Sequence, residues 1–353
     1  MPQIDQLLEE VLKRRGSDLH FLAGDPPRIR LNGELSPLRR DATPADTAKE
    51  TLYEIMPRKA VERFEAKDGA DFAYTLTGKG RFRVNVMRQL NGMGAVFRAI
   101  PSQALTLDQL DMPLAVRQLC TAVSGLILVT GKTGSGKSTS LAAMIDDINK
   151  RIKGHILTVE DPIEFVHPRH NCLISQREIG VHAPSFAAAL HSALREDPDV
   201  ILVGELRDLE TMSMAVTAAE MGILVMGTLH TNGAAQTVDR MVNAFPADKQ
   251  SHVRTMLSTS LRGVVSQQLL KKADGSGRVA ALEILINTPA AANLIRQGKL
   301  DQIENVMQTG ASFGMKTMDS AINALFDAGT VTGAEAFRKA INKTKFEQYK
   351  DQA

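Results

Sequence analysis

One loop constrains this chain more than any other feature. Gly131-Lys132-Thr133-Gly134-Ser135-Gly136-Lys137-Ser138, followed by Thr139, satisfies the pattern G-x-x-x-x-G-K-[ST] in full. It follows an apolar run over residues 126–130 and opens a stretch in which Leu141, Met144, Ile145 and Ile148 share one helical face. Strand, glycine-rich turn and helix in that order are the context the pattern requires. Glycines let successive backbone N–H groups turn inward around phosphate oxygens, and the helix N-terminus adds positive potential there. Lys137 can reach the β- and γ-phosphates of a nucleoside triphosphate, and the Ser138 hydroxyl can ligate Mg²⁺. Such a unit commits the chain to an α/β fold around a phosphate site.

Beyond the loop, short apolar runs keep alternating with helical stretches. Residues 156–159, 200–203 and 224–228 read as strands, with a helix expected over residues 209–221. Strands separated by crossover helices predict a parallel sheet buried on both faces, with functional groups gathered beyond the strands' carboxyl ends. The C-terminal part reads as mainly helical, with one more strand over residues 279–286.

The first 100 residues read instead as an α+β unit. Ile4, Leu7, Leu8, Val11 and Leu12 fall on one face of an opening helix. Its mixed charge and lack of a bulky aromatic predict packing on its own domain rather than in a membrane interface. Strand-like runs follow at residues 19–22, 28–31, 72–76, 81–87 and 94–100, around a helical stretch over residues 44–67. Turns are expected at Asp25-Pro26-Pro27, Asn32-Gly33 and Gly78-Lys79-Gly80. Residues 101–113 carry only a short Leu105, Leu107, Leu110 series and read as a linker that lets the two halves move. The expected division is therefore residues 1–100, a linker over 101–113, and a second domain over 114–353.

Four further segments carry candidate chemistry. The apolar run Asp199-Val200-Ile201-Leu202-Val203 ends in Gly204-Glu205, which would bring Glu205 out near Mg²⁺, able to hold the ion through a water. Glu160-Asp161-Pro162-Ile163-Glu164-Phe165 puts three carboxylates just after another strand, and Glu164 could deprotonate an attacking water. Sequence alone does not rank Glu160, Asp161 and Glu164. His230, in Gly227-Thr228-Leu229-His230-Thr231-Asn232, would land at the same sheet edge, as a γ-phosphate sensor or a structural histidine. In the first half, Arg81 and Arg83 share one strand face, and Arg88 falls opposite or beyond the strand end. That basic face could be solvated, bind nucleic acid, or reach a neighbouring subunit's nucleotide.

Composition removes several function classes. A net charge of +2 gives no global pull towards nucleic acid or anionic lipid. No Trp and only 4% aromatics leave few platforms for stacking bases. No nucleic-acid partner is expected, and a DNA-translocating motor is disfavoured. Cys120 and Cys172, far apart, make neither a four-ligand zinc site nor a disulfide framework, and read as buried thiols in a reducing cytosol. No apolar run approaches the ~18 residues of a membrane span, and residues 1–15 lack the order of a signal peptide.

Taken together these motifs resemble the secretion-type hexameric ATPases, most closely their type IV pilus retraction branch. Gly16-Ser17-Asp18-Leu19-His20 and Asp25-Pro26-Pro27-Arg28-Ile29-Arg30 are similar to the family's opening. Residues 81–88 and 94–101 resemble its first domain, residues 131–139 its Walker A loop, and residues 160–165 its acidic box. Leu194-Arg195-Glu196-Asp197-Pro198-Asp199 and Glu205 resemble its Walker B strand, and Thr228-Leu229-His230-Thr231 its histidine box. The resemblance implies a PAS-like N-terminal domain joined to a RecA-like P-loop ATPase domain. It implies a homohexamer with ATP and Mg²⁺ at subunit boundaries, cytoplasmic and peripheral at the inner-membrane pilus machinery. Its partners would be a membrane platform protein at the pilus base and a paralogous retraction ATPase. Carried over by position, Glu164 becomes the preferred water-activating base, Glu205 the Mg²⁺-side acid and His230 a γ-phosphate sensor. Arg81, Arg83 and Arg88 become candidates for contacts in trans.

Some residues depart from the pattern. Ala290-Ala291-Ala292-Asn293-Leu294-Ile295-Arg296-Gln297 replaces an Ala-Ile-Arg-Asn-Leu-Ile-Arg-Glu run, Leu282 stands where a His is common, and His191 where an Arg is usual. These changes, and the tail after Gly314, lean towards the accessory motor of the retraction branch, whereas the centre of the chain leans towards the principal one. The extension and type II secretion members usually carry a tetracysteine zinc insertion, which two lone cysteines do not supply. A nucleotide-binding scaffold without turnover is disfavoured by the presence of Glu164 and Glu205.

Overall fold

The structure, a computed structural model, describes residues 2–31, 33–100 and 104–352. Asn32 of the expected Asn32-Gly33 turn and the first three residues of the expected linker lie outside them. The chain divides into two units, one of residues 2–100 with Glu164–Val166, the other of residues 104–163 and 167–352.

The first unit holds a six-stranded sheet of β1 (Asp18–Leu22), β2 (Arg28–Leu31), β3 (Glu34–Pro37), β4 (Gly69–Leu76), β5 (Gly80–Gln89) and β6 (Gly92–Ile100). Its order is β3-β2-β1-β6-β5-β4, every pairing antiparallel. Antiparallel sheets can bury one face only, and the alternation along β5 does so: Phe82, Val84 and Val86 are fully buried. Opposite Val84 in the ladder stands Phe97, also fully buried. The helix Gln3–Lys13 buries Ile4, Leu8 and Val11 in this same core, and its Asp5 accepts a 2.6 Å bond from the Tyr74 hydroxyl. It packs on its own unit, as its charge pattern predicts.

Residues 44–67 form two helices, Ala45–Ile55 and Arg58–Lys67, not one. Met56 precedes Pro57, and a residue before proline is driven out of helical backbone; Met56 adopts ψ 124°.

The second unit carries β7 (Gly125–Thr130), β8 (His155–Glu160), β9 (Leu173–Glu178), β10 (Val200–Val203), β11 (Leu224–Leu229), β12 (Leu261–Lys271) and β13 (Arg278–Ile286). The order is β13-β12-β7-β11-β10-β8-β9, and only the β12–β13 pairing is antiparallel. Both faces are buried. Leu126 and Leu128 of β7 join one core with Met212, Ala215 and Val216 of the helix Leu209–Glu220. Ile127 and Val129 join the other with Leu141, Met144, Ile145 and Ile148 of the helix Lys137–Arg151. Leu107 and Met112, within the stretch expected to be a linker, are buried in this second core.

Three strands were not legible beforehand. β3 and β9 sit at sheet edges, where one face need not be apolar. β12 replaces helix in the C-terminal part. Its centre, Ser266-Gln267-Gln268, breaks the apolar pattern because Ser266 and Gln267 find their partners on other elements, Thr130 at 3.0 Å and Ser140 at 2.7 Å. Cys120 and Cys172 are buried free thiols, and burial pushes the Cys120 thiol up to about 12.

Candidate functional site

The sheet order explains how distant segments meet. β12, β7, β11, β10 and β8 are consecutive neighbours, so the turns leaving β7, β11, β10 and β8 emerge side by side at the carboxyl edge. These turns begin with Gly131, His230, Gly204 and Asp161. Functional groups collect at such edges because the chain leaves the sheet there with free backbone groups.

The loop after β7 is held in a shape that requires glycine. Gly131 has φ +140°, and a Cβ there would run into the Gln267 carbonyl oxygen and lie 2.6 Å from Ser135 Oγ. Gly136 has φ +91° and would collide with Gln267 Nε2 at 2.7 Å. Residues from the unforeseen β12 therefore form one wall of the loop, and Gln267 is clamped there by the Ser140 hydroxyl. Ser135 Oγ is buried without a hydrogen-bond partner among the described residues, a polar atom of the kind that marks a ligand-binding loop.

Lys137, in the first turn of the helix Lys137–Arg151, is almost fully buried. Its ammonium donates to the carbonyls of Gly131 at 2.9 Å and Lys132 at 3.2 Å, and lies 3.5 Å from His230 Nδ1. His230 Nε2 is 3.3 Å from Glu205 Oε1, which is also 3.4 Å from Arg207 Nε. A lysine ammonium only donates and a carboxylate only accepts. With Lys137 on the Nδ1 side of the ring, Nε2 is the nitrogen that faces the Glu205 carboxylate. Lys137, His230 and Glu205 thus form one line of contacts across the ends of β7, β11 and β10. A cavity of about 320 Å³ opens beside this line, lined by Glu205, Arg207, His230, Thr231 and Arg240 among others.

The acidic box separates into different environments. Gly204 leaves room for β8: a Cβ there would stand 3.3 Å from the Glu160 Cα. Glu160 is buried, its Oε1 accepting from the Thr158 hydroxyl at 2.7 Å and from Gln176 Nε2 at 3.3 Å. Asp161 and Glu164 are exposed, and Glu164 groups with the first unit. The second unit by itself therefore brings Lys137, His230 and Glu205 together, with Glu160 alongside as a sheet-bound carboxylate. Gln176, which also accepts from the backbone of His167 at 2.9 Å, was not singled out from sequence.

Among the arginines of the first unit, Arg83 lies on the face away from the core and pairs across the ladder with Arg98. Arg98 in turn bonds Asp18 at 3.0 Å. Alternation puts Arg81 on that face too and Arg88 on the other. At the rim of the core, the Arg88 guanidinium stacks 4.6 Å over the Phe64 ring and bonds Asp68 at 2.7 Å. Arg98 was also not anticipated, because a lone arginine in an apolar strand carries no motif.

A strand–loop–helix phosphate cradle at the carboxyl edge of a mostly parallel sheet, with an acid and a histidine on the adjacent strand ends, defines a P-loop nucleoside triphosphatase. Residues 1–332 match the type II/IV secretion system protein family, and the chain belongs to that family. It is 49% identical to the type IV pilus retraction ATPase PilT of Pseudomonas aeruginosa, over 96% of this chain and 98% of that one. Identity to the type IV pilus ATPase PilU of the same organism is 40%, over 96% of this chain and 88% of that one. Among solved structures, the pilus retraction motor PilT with bound ADP superposes with a TM-score of 0.91 at 43% identity, covering 98% of this chain and 99% of that one. The chain is accordingly a nucleotide-binding ATPase of the pilus retraction branch, an α+β N-terminal domain followed by a RecA-like ATPase domain.

Proposed function

We propose that this chain is a Mg²⁺-dependent, homohexameric motor that powers type IV pilus retraction and with it twitching. The observation that carries the reading is the line from Lys137 through His230 to Glu205, within 3.5 Å and 3.3 Å, at the mouth of the phosphate loop. A group that contacts both the phosphate-clamping lysine and the neighbouring carboxylate is placed to respond to the γ-phosphate, which is what coupling hydrolysis to movement requires. Residues 131–139 hold the nucleotide phosphates, with Lys137 on the β- and γ-phosphates.

The donor set fits magnesium. The Ser138 hydroxyl, in the first turn of its helix, and the part-exposed Glu205 carboxylate are hard oxygen donors. Mg²⁺ is usually held by one or two such groups together with substrate phosphates and water. When bound, the ion neutralises charge developing on the phosphoryl oxygens. Glu164 is the base that orients and deprotonates water. Of the other two acids, Glu160 is already bonded within the sheet.

Arg81, Arg83 and Arg88 are proposed to include the residue that reaches a neighbouring copy's nucleotide. Arg88, at a strand end and half-exposed, is the candidate tested first. Arg88→Ala should lower hydrolysis in assembled rings by about 10³-fold, the low end for a trans arginine. Mixing it with Lys137→Ala subunits should restore part of the activity, because some interfaces then combine an intact loop with an intact arginine. No rescue in mixed rings would count against the trans role.

The motor is expected to work in the cytoplasm against a membrane platform protein at the pilus base. Among the described residues no helix is long and apolar enough to cross a membrane. Deleting the gene should leave cells with excess, static pili and no twitching, scored by microscopy of labelled pili; normal retraction would refute the reading. A second reading, an accessory motor of the PilU kind, is favoured by Leu282, His191 and the residues 290–297. Its signature is retraction only when another retraction ATPase is also present.

A further inference from the structure

The turn that follows His230 is not held by its own strand alone. Thr130, Ser266 and Glu283 stand in register across β7, β12 and β13, one polar row beside Leu229 of β11. All three are buried, with Ser266 at 1% and Glu283 at 5% exposure. Ser266 Oγ accepts from the Thr130 hydroxyl at 3.0 Å and from the backbone N–H of Gly233 at 2.9 Å. Glu283 Oε1 accepts from the N–H of Ala234 at 2.6 Å, the first residue of the helix Ala234–Asn243. Its other oxygen, Oε2, accepts from the N–H of Met318 at 3.1 Å, the first residue of the helix Met318–Asp327. Thr237 closes the group, meeting the Thr231 hydroxyl at 2.7 Å and the Thr130 hydroxyl at 3.4 Å.

Geometry and cost both argue that this row has a task. A buried carboxylate loses hydration, and burial indeed pushes Glu283 above its ordinary range despite the two N–H groups that favour its charge. An apolar pair of the same size would avoid that penalty. One carboxylate that caps two helices, thirty-odd positions away in one direction and nearly fifty in the other, fixes each relative to the other. The helix it caps on one side begins four residues after His230; the other belongs to the C-terminal helical cluster of Met318, Ile322, Ala336 and Phe346.

We infer that Glu283, with Ser266, is a positioning residue: it holds the turn from Thr231 to Ala234, and so sets His230 against Lys137 and Glu205 while tying that setting to the helix Met318–Asp327. The inference rests on the proposed role of His230 in hydrolysis. Movement of His230 on hydrolysis would then pass into the C-terminal helices through a single side chain, and strain on those helices would return to the site.

The test uses the full chain and steady-state ATPase assays. Glu283→Gln keeps the size but turns one oxygen into an N–H donor facing an N–H, so one of the two caps is lost. Ser266→Ala removes the acceptor for Gly233. Each should lower kcat about tenfold, the scale of one lost hydrogen bond in a site, while KM for ATP and the Kd for ADP stay within about twofold. The decisive comparison is in a His230→Ala background, where adding either substitution should cost little more, because the group being positioned is gone. Losses that multiply in the double variants, or unchanged kcat in both singles, would overturn the inference. Should Glu283→Gln fail to fold, Ser266→Ala alone decides by the same comparison. Wild-type kcat in His230→Ala would instead strike the role of His230, and with it anything that positions it.

Discussion

Lys137→Ala is expected to abolish ATP hydrolysis, lowering kcat by at least about 10²-fold, the loss typical when one preorganised donor to a developing charge is removed. The side chain is buried and its ammonium lies among the carbonyls of Gly131 and Lys132, at the centre of the loop. Alanine leaves the loop backbone its glycines but removes the only cation within it that also touches His230. The loss should therefore exceed weaker nucleotide binding: the link by which His230 meets the phosphate clamp disappears as well. Phosphate release at saturating ATP, with fluorescent-nucleotide titration alongside, separates the two effects. A variant that turned over ATP normally would show that the phosphate site lies elsewhere in the chain.

Glu164→Gln is expected to leave ATP bound but hydrolysed about 10²- to 10⁴-fold more slowly, the range for loss of a general base. The amide keeps the shape of the carboxylate and cannot take a proton. Nucleotide affinity should change little, because in the proposed site the phosphates are held by residues 131–139 and not by Glu164. The variant should accumulate as an ATP-bound species, measurable by single-turnover kinetics and by the ratio of ATP to ADP retained after rapid filtration. Full activity would move the base to Asp161 first, since Glu160 already spends Oε1 on Thr158 and Gln176. A large fall in ATP affinity would mark Glu164 as a binding group rather than a base.

Both predictions start from motifs that were plain in the sequence, and their legibility has a common cause. Gly131, Gly134 and Gly136 each take a positive φ, a demand local to a few residues, so it leaves a local trace. The β10 run was equally readable, because a strand buried on both faces must be apolar throughout. β12 left no such trace. Ser266 and Gln267 look like loop or helix-surface residues until Thr130 and Ser140, more than a hundred positions earlier, are set beside them. The acidic box shows the same limit: three carboxylates within five residues look alike in sequence. Only the surroundings separate Glu160, buried between Thr158 and Gln176, from exposed Asp161 and Glu164.

By itself the sequence determined that a phosphate loop joins a buried strand to a helix, that an acid and a histidine end two other strands, and that an α+β unit precedes them. Each of these is a short-range demand of backbone geometry or hydrophobic period, written where it applies. Tertiary structure alone decided which strand ends are neighbours. It brought Lys137, His230 and Glu205 within 3.5 Å of one another in turn, and laid Thr130, Ser266 and Glu283 in one row. The reason is physical: pairing order in a sheet is a choice among long-range contacts, and a buried polar residue becomes intelligible only beside the partner that satisfies it.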